Sequence, residues 1–230
     1  MIKKHTLDFE QVDKLLIDGS ISVEKSITYL DSLLVLTKSS ELYLKNALIL
    51  YKANQERRLN PKKALKSLID VKSFLNSNFQ YKQLQLFYNI SLGRIAFEAQ
   101  QDCKTAYKLY NENLQAILLE KNLYKGWNIE LESKTGIINS LLCLQRDQEA
   151  LEYLKQLEKE IDPKIQLKEY LYVLSVSGYI HTKFSNYKEG EAYFKKVVAL
   201  LENSKDHLDN YLAACNNLAH IYKTADNTTE

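Results

Sequence analysis

SVSGYIHTKFSNYKEGEAYFKKVV, residues 175–198, reads as two helical stretches on either side of a short Ser-Asn break, and each stretch contains a glycine, Gly178 and Gly190. Glycine inside a helix costs about 1 kcal/mol relative to alanine. Two neighbouring helices that both tolerate it need a compensating gain, and close helix–helix approach is the one available. Matching stretches recur along the chain. NISLGRIAFEAQ (89–100), SVSGYIHTKFSN (175–186) and NNLAHIYKTADN (216–227) align Gly93, Gly178 and Ala219. AYKLYNENL (106–114), ALEYLKQLE (150–158) and GEAYFKKVV (190–198) align Ala106, Ala150 and Gly190, with Tyr110, Leu154 and Phe194 four positions later. A small residue at a helix crossing with a large one filling the adjacent gap is the expected contact between first helix A and second helix B of a pair.

Apolar residues recur at three- and four-residue spacing almost from end to end, as Leu151, Leu154, Leu157 and Ile161 do in EALEYLKQLEKEI. Capping and helix-stopping residues interrupt them, and Asn60 before Pro61 suits an N-cap followed by proline at the first helical position. About eleven helices follow. They pair as 6–18 with 21–36, 40–57 with 61–76, 79–99 with 102–119, 127–144 with 147–161 and 165–183 with 186–202, ahead of an unpaired 207–224. Connections of a few residues make consecutive helices antiparallel.

Two prolines and six glycines in 230 residues are too few for a turn-rich β-sandwich or barrel, so the fold class is all-α. Thirty-one basic residues against 29 acidic ones leave a net charge of +2, which argues against a dedicated nucleic-acid or membrane binder. The odd cysteine count (Cys103, Cys143 and Cys215, far apart) argues against a disulfide framework and for a reducing compartment. No secretory leader or 18-residue apolar run is seen, so a soluble cytoplasmic chain is expected.

These features resemble the tetratricopeptide repeat family. Leu92-Gly93 carries its large–small pair in helix A, and Leu218-Ala219 with Tyr222 adds its tyrosine. Tyr187, Gly190 and Phe194 carry the helix-B set, and Asp162-Pro163 stands where a repeat often closes. The likeness is best over 86–224, and earlier only Tyr51, Ala64 and Leu68 survive as marks. The family's early tryptophan is absent, and Ala96, Leu141 and His181 replace the helix-A tyrosine. Spacing exceeds the usual 34 residues: 41 from Gly178 to Ala219, 40 from Ile138 to Gly178, and about 45 before that. The resemblance implies a right-handed α-solenoid over 1–230, with degenerate pairs at 1–78, the clearest repeats at 79–206, a capping or truncated helix at 207–224 and a polar tail at 225–230. It looks like the longer-repeat branch found in bacterial peptide-sensing regulators and kinesin-light-chain-type adaptors.

Catalytic spacing is absent. His5, His181, His207 and His220 are scattered, and no HExxH, CxxC, GxSxG or glycine-rich phosphate loop is present. His181 is expected to pack on a partner helix, and Lys62, Lys63, Lys66 and Lys72 to form a solvated face. Trp127 is expected to anchor packing. No catalytic residue, metal site or cofactor is expected, so an enzyme with an unrecognised site is the weakest of three functional readings.

In the family, helices A build the concave wall, and helical geometry projects Lys45, Arg94, Asn139, Tyr179, Asn216, Asn217 and His220 onto it. Asparagine both donates and accepts, which suits the backbone of an extended peptide, and tyrosine and arginine are common contact anchors. The leading reading is a non-catalytic scaffold or adaptor that binds a protein or peptide segment in that groove. The alternative is the peptide-sensing region of a bacterial regulator, although no DNA-binding domain or helix-turn-helix pattern is visible. Neither reading includes a nucleic-acid or membrane partner, and self-association is expected, if anywhere, as a homodimer through a terminal helix.

Overall fold

The computed structural model describes residues 22–119, 128–202 and 206–227, together with Val12 and Ser204, with side chains described as far as residue 224. The described residues form ten α-helices and no strands. They are α1 (Val23–Leu36), α2 (Leu42–Glu56), α3 (Pro61–Asn76), α4 (Lys82–Gln100), α5 (Cys103–Ile117), α6 (Ile129–Cys143), α7 (Asp147–Glu160), α8 (Leu167–Lys183), α9 (Tyr187–Leu201) and α10 (Leu208–Asn227). Every end falls within three residues of its expected position. The expected helix at 6–18 and Trp127 lie outside the described residues. One boundary is corrected: α10 continues to Asn227, because Thr224-Ala225-Asp226 contains nothing that stops a helix.

Local chemistry explains the starts and stops. Asn60 accepts a hydrogen bond from the Lys63 amide at 3.0 Å with Pro61 at the first helical position, and Asp102 caps α5 through the Thr105 amide at 3.0 Å. Three helices, α4, α6 and α8, are followed by a left-handed residue: Gln101 (φ 54°), Gln145 (φ 59°) and Ser185 (φ 59°). These sit 44 and 40 residues apart, so the backbone repeats with the period of the sequence.

The helices form two compact units, residues 1–144 and 145–230. In the first, each helix from α1 to α6 packs on the next, and α2 also touches α4, which touches α6. No such packing joins α1 to α3 or α3 to α5 among the described residues. The A helices therefore form the tighter row and the B helices the splayed one. Ala47, Leu50, Leu68, Val71, Leu84, Ile90, Ile95, Ile137 and Leu141 are buried between them, each large aliphatic contributing about 1.5–3 kcal/mol. At one end Tyr81 stacks on Phe74 (5.7 Å) and leans on Tyr43 (5.2 Å), gathering the start of α2, the end of α3 and the start of α4. Buried Asn113 on α5 donates to the Leu86 carbonyl on α4 at 2.9 Å and accepts from Asn89 at 3.0 Å, which fixes the register of that pair.

In the second unit, Leu171 and Leu174 of α8, Phe194, Val197 and Leu201 of α9, and Ala214 and Ile221 of α10 make one core. Helix α7 packs on α8 and buries Ala150, Leu151, Leu154 and Leu157. Of the six small residues aligned above, the three glycines sit at crossings, and Ala106 and Ala150 are fully buried. A Cβ on Gly93 would lie 2.8 Å from Tyr110 Cζ, one on Gly178 2.9 Å from Phe194 Cζ, and one on Gly190 2.5 Å from Thr182 Oγ1. Ala219 does not: it is exposed, since among the described residues no helix lies over that face of α10. Gly136 takes the crossing position in α6, two residues before Ile138.

The cysteine expectation is also corrected. Cys103, at the start of α5, is joined to Cys143, at the end of α6, with their Cα atoms 6.2 Å apart, and Cys215 alone is free. Antiparallel packing brings together two residues that lie 40 positions apart, a proximity that sequence spacing does not show. His181 packs as expected, its ring stacked on Tyr193 of α9 at 5.6 Å. The four lysines of α3 are exposed, and Lys63 reaches the buried Glu56 carboxylate at 2.8 Å.

Candidate functional site

The A row of the first unit carries a polar network. Arg94 on α4 donates to Asn54 of α2 at 3.3 Å and pairs with Glu132 of α6. Asn54 donates to Ser91 at 2.9 Å, and Ser91 in turn donates to the Phe87 carbonyl at 3.0 Å. Arg57, at the end of α2, pairs with Glu98 of α4 at 2.5 Å. Three successive A helices are thus tied by side chains on one surface. Each guanidinium has a carboxylate from the next A helix, so the charges compensate one another in pairs.

Beside this network lies a cleft of about 110 Å³, lined by Arg94, Glu98, Tyr110, Glu132, Thr135 and Asn139, with Phe97 and Gly136 completing its wall. Its volume suits one small side chain or a few waters. Tyr110 forms the floor. Burial raises its phenol well above the ordinary range, with Glu132 and Glu98 adding to the effect and Arg94 opposing it, so it stays protonated and donor-capable. Burial would lower the Arg94 pKa, but the charge and hydrogen bond of Glu132 outweigh it and raise it. Arg57 shifts the other way, lowered first by burial and then by the like charge of Arg94, and its Nε is buried without a partner. The cleft therefore offers a fixed cation, two carboxylates and the amide of Asn139, while the Thr135 hydroxyl donates back to the Leu131 and Glu132 carbonyls at 3.0 and 3.1 Å.

Of the seven projected contact residues, the structure brings two together. Arg94 and Asn139 line this cleft. Lys45 is exposed on α2, apart from it. In the second unit, Tyr179 is exposed on α8, and Asn216, Asn217 and His220 are exposed on α10, the next A helix. Asn217 turns back to its own helix, donating to the Ala213 carbonyl at 2.9 Å. Asn54, Arg57, Glu98, Tyr110 and Glu132 were not anticipated as neighbours of Arg94. The Arg94–Glu98 spacing of four was a local signal, yet Glu98 pairs with Arg57 instead. Among the described residues no three His, Cys, Asp or Glu side chains are grouped so as to hold a metal ion, and no helix is long and apolar enough to cross a membrane. No protein-family model matches the chain, and no curated protein matches it.

Proposed function

We propose that this chain is a tetratricopeptide-like right-handed solenoid that acts without catalysis, holding an extended protein or peptide segment along its A-helix row. The Arg94–Asn139 cleft carries this reading. It is a polar recess, sized for a small side chain, on the tighter row of helices in the first unit. The Asn139 amide can both donate to and accept from a peptide backbone, the Thr135 oxygen can accept from a backbone amide, and Arg94 can donate to a carboxylate or carbonyl. On the second unit, taken by itself, Tyr179, Asn216 and His220 are exposed on A helices. Asn139→Ala should reduce capture of a partner from source-cell lysate at unchanged helicity; full capture by the variant would overturn the assignment. A regulator-type sensor of short peptides is the second reading, supported by the long repeat period. For it, small-angle scattering should show the radius of gyration changing when peptide binds. The Cys103–Cys143 bond weighs against cytoplasmic residence, since such bonds persist chiefly in oxidising compartments.

A further inference from the structure

Tyr110, only 3% exposed, lines the Arg94–Asn139 cleft, yet no described residue makes a hydrogen bond to its hydroxyl. Buried hydroxyls as a rule have a partner, and one without calls for an explanation. Packing does not supply it. In the second unit Phe194 fills the matching place over Gly178, as Tyr110 does over Gly93, and it carries no hydroxyl. The Tyr110 oxygen is therefore surplus to the helix crossing and faces a recess.

The charged groups around it are already balanced. Arg94 is committed to Asn54 and to Glu132 Oε2, and Arg57 to Glu98 Oε2. The Oε1 atoms of Glu98 and Glu132 make no hydrogen bond among the described residues, and both carboxylates are partly open to solvent. Two guanidinium groups and two carboxylates sum to zero. A guest thus meets a neutral O–H donor and two spare carboxylate acceptors in a site without net charge. A charged guest would bring an unbalanced charge into a partly buried site, and an apolar one would leave the Tyr110 hydroxyl unpaired. A primary carboxamide is neutral, accepts through its carbonyl and donates through both N–H bonds.

We propose that the cleft selects the carboxamide of an asparagine or glutamine side chain, whose carbonyl accepts from the Tyr110 hydroxyl while its N–H groups donate to Glu98 and Glu132. A recess of about 110 Å³ admits such a group. This rests on the segment-binding reading above, which supplies the chain that carries the side chain, and adds to it which residue the segment must present.

The test titrates the full chain at neutral pH with acetamide, acetate and methylammonium, following the Gly136 and Asn139 resonances by NMR. Acetamide should shift them saturably, and the two ions should not at the same concentrations. Tyr110→Phe should weaken acetamide binding by about fivefold or more. It should melt at or above the parental temperature, because the hydroxyl it removes has no partner in the free protein. No shift with acetamide, equal binding of either ion, or undiminished acetamide binding by Tyr110→Phe overturns the proposal. If any of these occurs while Asn139→Ala still loses lysate capture, the segment-binding reading stands and this inference alone fails. Acetamide binding with full capture by Asn139→Ala overturns that reading and leaves the cleft's preference intact.

Discussion

Gly136 and Tyr110 meet so closely that a Cβ added to Gly136 would lie 2.5 Å from Cζ and Cε2 of the Tyr110 ring. Gly93 approaches the same ring, with its added Cβ 2.8 Å from Cζ. Tyr110, on the B helix α5, is thus packed against glycines of two A helices, α4 and α6. One side chain sets the spacing of three helices, and the cleft beside Arg94 is built on it.

Gly136→Ala should therefore destabilise the protein even though alanine favours helix by about 1 kcal/mol. Overpacking a buried ring costs about 1–3 kcal/mol, and a ring held between two helices has little room to give. Gly190→Ala should cost less, because its nearest neighbour is the Thr182 hydroxyl, which can rotate at the loss of its 2.9 Å bond to the Gly178 carbonyl. Urea titrations of the two variants give the order; Gly136→Ala at or above parental stability would contradict the packing described.

Reducing the Cys103–Cys143 bond, or replacing both residues with serine, should lower stability by about 2–4 kcal/mol, given the 40-residue separation it spans. The parent should also run differently on reducing and non-reducing gels, a difference the double serine variant lacks. Identical thermal midpoints with and without reductant would show that the bond does not constrain the fold.

Arg94→Met leaves Glu132 without its guanidinium partner and should cost about 1–3 kcal/mol. The double change Arg94→Met with Glu132→Leu should cost less than the sum of the single changes, because the stranded carboxylate is gone. An additive double-mutant cycle would mean the pair contributes no coupling.

His181 gives a pH dependence of defined sign. Burial lowers its pKa, with Glu189 opposing the shift and Lys155 adding to it, so the fold favours the neutral ring. An unfolded histidine titrates near 6.5. The contribution to stability is complete above that value and is lost as pH falls through it towards the lower folded pKa. Proton NMR should find His181 titrating below 6.5, and His181→Gln should flatten the stability profile between about pH 5 and 7. A titration midpoint above 6.5 would reverse the sign.

The amino-acid sequence by itself determined the described helices and three of their pairings, α2 with α3, α4 with α5 and α8 with α9. Capping residues such as Asn60 and the three-to-four spacing of apolar residues act within a few positions of chain, so their effects are local. It also determined which crossings are tight at Gly93, Gly178 and Gly190, since a glycine in a helix marks an approach that no side chain could permit. It misplaced Ala219, whose pattern matches a covered position but which is exposed, and it passed over Gly136 in favour of Ile138 two residues on. Only the tertiary structure decided which distant groups meet: Cys103 with Cys143, Arg94 with Glu132 and Asn139, and Tyr110 with both of its glycines. Those pairs lie 17 to 45 residues apart. Their distances depend on how helices cross, which is set by the packing of all their side chains together and not by any single stretch of chain.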